Sequence, residues 1–147
     1  METSHRPTSR LDTAPTANAP RSRTEVAVMW LEGLLAVGAY GGAIGLISGG
    51  LDLGEASGNL PFGSLAFAGV CLALVNGLLP TLVLIGALRQ RRWAVPGHLV
   101  VGLTLVAWIV AQVAILGPPL HPLQAIYFAW GWIIAALAAR LLTPQRA

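Results

Sequence analysis

EVAVMWLEGLLAVGAYGGAIGLISGG, residues Glu25 to Gly50, decides the class of this chain. The stretch is apolar for long enough to cross a bilayer, whose hydrocarbon core takes about 20 residues of helix. Gly38, Gly42, Gly45 and Gly49 recur at spacings of four, three and four, which puts them on one helical face. A ridge of that kind lets a second helix approach closely in lipid. Glu32, the single carboxylate well inside the stretch, points about 110° away from the ridge and so toward a different neighbour.

Working outward, three further apolar runs of about 20 residues or more follow. Across 147 residues the apolar fraction is 55%, the charged fraction 10% and the mean hydropathy +0.69. A soluble domain carries nearer 25% charged residues, so the expected class is an all-α polytopic membrane protein with a four-transmembrane-helix bundle. The net charge of +3 does not indicate nucleic acid, because the arginines flank apolar runs and form no binding face. Lysine is absent, and the Ala, Gly, Leu and Arg usage suits a GC-rich bacterial genome. The one cysteine, Cys71, excludes an internal disulfide or a CxxC pair and reads as apolar filler.

In chain order, residues 1–24 are polar and rich in Pro, Thr, Ser and Arg, and read as a disordered cytoplasmic tail. Residues 25–147 form the transmembrane domain, with helices expected at about 25–49, 61–88, 96–116 and 122–142. Pro61, Pro96 and Pro122 open helices, where a missing N–H costs nothing. The second helix, about 40 Å long at 1.5 Å per residue, exceeds the hydrocarbon core and should tilt or kink. Pro80 supplies the kink, since it cannot donate to the carbonyl of Asn76. Arg6, Arg10, Arg21, Arg23, Arg89, Arg91, Arg92, Arg140 and Arg146 all fall on one side if the chain crosses four times. The positive-inside rule then puts both termini in the cytoplasm of a bacterial inner membrane.

Two groups of polar side chains are candidate sites. Glu32, Asn76, Arg140 and His98 form the first, an intramembrane polar or proton site. A carboxylate at that depth needs a partner or a proton, and both Arg140 and His98 lie near the same end of their helices. Glu32 is then an ion-paired lock between helices, a titrating site, or a contact with another subunit. Asn76 and Pro80 are a bundle-locking hydrogen bond and a packing kink, or a substrate site of the broken-helix kind. Gln112, Gln124, Tyr127 and His121 form the second group, gathered at the opposite end where the third helix stops and the fourth begins. They either glue those two helices, at about 1 kcal/mol per bond, or line a small pocket. Trp30 and Trp93 sit where an inner aromatic belt belongs, while Trp108, Trp130 and Trp132 are expected deeper, as packing residues. The three histidines and one cysteine make no metal or haem ligand set, and no cofactor-binding or catalytic motif is present.

WIVAQVAILG, followed after a proline loop by PLQAIYFAWG, resembles a pattern in uncharacterised small four-helix bacterial membrane proteins. Trp108, Ile109, Gln112, Leu123, Gln124, Tyr127 and Phe128 carry it, over about a fifth of the chain. It implies the four-helix fold and no activity. Small multidrug transporters also combine four helices with a carboxylate in the first, but this chain lacks the motif around that carboxylate and adds an arginine-bearing tail. The function expected from these features is a non-enzymatic accessory, scaffold or assembly subunit. It would be embedded in the lipid bilayer as a homo-oligomer or part of a larger membrane complex. Two alternatives stand beside it: a small oligomeric transporter, proton-coupled or passive, using Glu32, and a quinone- or redox-linked subunit.

Overall fold

A computed structural model of the chain describes residues 21–51, 54–117 and 121–143. The expected tail up to residue 20, with Arg6 and Arg10, lies outside them, as do Pro118, Pro119 and Arg146. The chain is all-α. Helices α1 (Arg23–Ile47), α2 (Leu65–Leu88), α3 (Ala94–Leu116) and α4 (Pro122–Leu142) are each long and apolar enough to cross a membrane.

Local chemistry sets the boundaries. Ser22 caps α1, its hydroxyl accepting from the Glu25 N–H at 3.1 Å, so the helix starts two residues earlier than expected. It stops at Ile47, and Gly49, with φ of +73°, takes the left-handed conformation that turns the chain away. Pro61 does not open α2. It enters a tight 3-10 turn, Pro61–Gly63, with Phe62 at φ of +61°, and Ser64 then caps α2 through a 3.2 Å bond from the Phe67 N–H. Pro96 is the third residue of α3, still within the turn whose N–H groups have no helical acceptor. At the start of α4, the His121 Nδ1 accepts from the Leu123 N–H, and the Gln124 Oε1 accepts from the His121 N–H at 3.0 Å.

The interruption expected at Pro80 takes the form of a π turn, Ala73–Leu78, placed immediately before the proline. A residue without an N–H breaks the regular ladder, and a wider turn accommodates the break. Thr81, one residue on, donates its hydroxyl to the Gly77 carbonyl at 2.7 Å.

The helices close into a ring: α1 packs on α2 and α4, and α3 packs on the same two, so α1 and α3 face each other along a diagonal. The tightest crossing joins α3 to α4. A Cβ on Gly102 would sit 2.6 Å from the Ala135 backbone nitrogen, and one on Gly131 would sit 3.0 Å from the Gly102 carbonyl. These two glycines, rather than the α1 ridge, set the closest backbone approach in the fold. The core holds Val28, Leu35, Val83, Val101, Leu105, Ile109 and Ile134, with small alanines between them. The outer surface is apolar as well. Trp30 and Val37 are 70% and 72% exposed, and Ile44, Val110, Ile126 and Ile133 also face outward. A bundle apolar on both sides is a bundle for lipid.

Every described arginine lies at the end of the bundle that holds the α1 N-terminus, the α2–α3 turn and the α4 C-terminus. One of them ties that end together. The Arg21 Nη2 donates to the Leu88 carbonyl at 2.9 Å and to the Ala87 carbonyl at 3.5 Å, while its Nε lies 3.9 Å from Glu25. A guanidinium placed there adds a donor for the Leu88 carbonyl at the end of α2, while the Ala87 carbonyl also accepts the Gln90 N–H at 3.0 Å.

Candidate functional site

The first polar group separates into three places. Glu32 and His98 are 0% and 1% exposed, and the Glu32 Oε1 lies 2.9 Å from the His98 Nδ1, so the two share a hydrogen bond across the α1–α3 diagonal. Of the two partners reachable from the sequence, His98 is the one used. Arg140 is exposed in the last turn of α4, where a long side chain reaches the interface. The second oxygen, the Glu32 Oε2, has no hydrogen-bond partner among the described residues. Asn76 lies elsewhere, in the π turn of α2, 2% exposed and with its Nδ2 also unpartnered.

Asn76 belongs instead with the second polar group. Between the helices lies a cavity of about 1000 Å³ that reaches the arginine-free end of the bundle. Its inner part is walled by Leu35, Gly38, Ala39, Leu105 and Asn76, and its outer part by Leu46, Leu72, Leu116 and Leu123. Trp108 and Ile109 line the α3 side, and Gln112, His121, Gln124 and Tyr127 contribute the remaining polar groups. From Leu105 to Gly117 along α3 the lining spans about 18 Å at 1.5 Å per residue. The Asn59 Nδ2 donates to the Leu116 carbonyl at 3.3 Å, which holds the α1–α2 connection against the cavity's outer end.

Gln112, Gln124, Tyr127 and His121 come together around the cavity. The Gln124 Oε1 and the His121 Nδ1 accept backbone N–H groups within the α4 cap, and among the described residues no hydrogen bond from the four side chains joins α3 to α4. Backbone contact at Gly102 and Gly131 already holds the two helices, leaving the polar side chains free to face the space above. The glycine ridge of α1 also turns inward. Gly38 and Gly42 line the cavity, Gly38 close to the Tyr127 hydroxyl and Gly42 close to Leu72, while Gly45 abuts Leu51 and Gly49 has open space around it.

Sequence reasoning missed Tyr40, whose ring covers Gly77 and whose hydroxyl lies 3.4 Å from the Thr81 Oγ1. Trp132, expected deeper in its span as a packing residue, is half exposed and meets Phe128 edge-on, 6.4 Å between centroids. Trp108 and Trp130 do pack against the core. The signal for Tyr40 was a large aromatic on α1 matched by the small Gly77 in α2, visible only once the two helices are paired.

Chemically, the cavity offers apolar walls, amides, a phenol and an imidazole; among the described residues no Arg, Asp or Glu lines it. Among the described residues no three His, Cys, Asp or Glu side chains come together around a point that could hold a metal. No protein-family model, curated protein or solved structure matches this chain.

Proposed function

We propose that this chain is a non-enzymatic accessory subunit of a bacterial cytoplasmic membrane that carries a small, largely apolar molecule in its bundle. The observation that carries the reading is the cavity of about 1000 Å³ at the arginine-free end, at the top of the size range for small-molecule sites. With the arginines on the cytoplasmic side, the cavity serves the outer leaflet. The Glu32–His98 pair acts as a lock on the other half of the bundle. Leu35, Val101 and Leu105, all buried, fill the interior between that pair and the cavity, which disfavours a transport path through Glu32.

The test is native mass spectrometry of the full chain purified in mild detergent. A bound small molecule is expected on the wild type and on Gly41→Leu, whose side chain enters open space. Gly42→Leu, whose Cβ alone would press on Leu72 at 3.2 Å and whose side chain adds bulk to the cavity wall, should lose it while still running as a folded species in the same spectrum. A wild type without any bound species, or a Gly42→Leu protein that retains it, would overturn the proposal.

A further inference from the structure

We infer that the cavity selects an uncharged amphiphile whose carbonyl or hydroxyl head hydrogen-bonds to Asn76 at the cavity floor. The inference rests on the carrier reading above and adds the ligand's chemistry. Three observations converge on it. First, Asn76 lines the cavity, is 2% exposed, and has an amide nitrogen without a partner among the described residues. A buried amide N–H left unpaired is unfavourable, and a half-turn about the Asn76 Cβ–Cγ bond exchanges its oxygen and nitrogen, so it can meet either a carbonyl or a hydroxyl. Second, the Tyr127 hydroxyl reaches the α1 wall beside Gly38 and makes no hydrogen bond among the described residues. Gly38 lies only two residues from Tyr40, which covers Gly77, so phenol and carboxamide serve the same inner level of the cavity. Third, no Arg, Asp or Glu is among the described residues that line the cavity, and a charged head without a counter-charge against apolar walls is strongly disfavoured. The apolar body then lies outward, along Leu46, Leu72, Ile109 and Leu116.

Two sources share this chemistry: a membrane quinone, with ring carbonyls, and a neutral acylglycerol, with ester carbonyls and hydroxyls. Trp108 in the cavity wall reports on both. The full chain in nanodiscs is titrated with a decyl-substituted benzoquinone, following tryptophan quenching, with Trp108→Phe as the baseline. Monodecanoylglycerol, decanoate and decane are then added as competitors. Saturable quenching that depends on Trp108 is expected. Monodecanoylglycerol should displace the quinone, and decanoate and decane should do so at least tenfold less well. Asn76→Leu should weaken the quinone about tenfold and Tyr127→Phe about threefold, leaving decane unchanged. The relative affinity of quinone and monodecanoylglycerol then identifies the source. If decane competes as well as the quinone and Asn76→Leu changes nothing, the head assignment fails while the carrier reading stands. If no probe gives Trp108-dependent quenching, both fail.

Discussion

A carboxylate and an imidazole buried together are worth little as a net gain but much as a commitment. Desolvating both groups offsets most of their attraction, yet removing one strands the other. His98→Ala is therefore expected to cost about 3–5 kcal/mol, read as a lower unfolding midpoint in a detergent or SDS titration. Glu32→Leu combined with His98→Leu should recover most of that loss, because two apolar side chains of similar bulk need no partner. A double variant as unstable as His98→Ala would show that the pair contributes more than mutual satisfaction. Glu32 was legible in the sequence because an acid inside an apolar run demands an account. Its partner was legible only as a choice between two, since reach along a helix axis does not reveal which face a side chain takes.

Among the elements, α2 and the α3–α4 crossing depend most on single residues. Pro80→Ala restores the missing N–H and should let the π turn relax toward regular helix, rotating Asn76 relative to the cavity. The expected outcome is a protein at least as stable as wild type that binds the cavity probe more weakly, checked by melting and by Trp108 quenching. At the crossing, Gly131→Leu should destabilise the bundle severely, since even a Cβ there would sit 2.9 Å from Val106. Gly41→Ala, with nothing within reach, should be neutral or stabilising by up to about 1 kcal/mol. The four spans were readable because length and hydropathy are properties of each helix alone. The cavity was not, because it arises from how four faces meet. The same glycines that suggested a helix-packing ridge line the cavity at Gly38 and Gly42, where side chains, Tyr127 and Leu72, rather than a second backbone come nearest. The pairing of Gly102 with Gly131 escaped notice for the same reason: each looks unremarkable until its partner helix is placed.

For the molecule as a whole, the arginine distribution gives a sidedness that can be measured. In a Cys71→Ala background, single cysteines at Ser57 and His121 should react with a membrane-impermeant maleimide in intact cells. A cysteine at Arg91 should react only after the membrane is opened. Labelling of Arg91→Cys from outside would reverse the orientation and place the cavity on the cytoplasmic face. The Arg21 clasp on the Leu88 and Ala87 carbonyls bears on how such a molecule is made. Arg21 is synthesised before the first span and its acceptors at the end of the second, so the contact can form only once both have emerged on the same face of the bilayer. An insertion that left the first span alone, or sent the second the wrong way, would leave the guanidinium without its carbonyls. The clasp thus favours arrangements in which α1 and α2 run as an antiparallel hairpin.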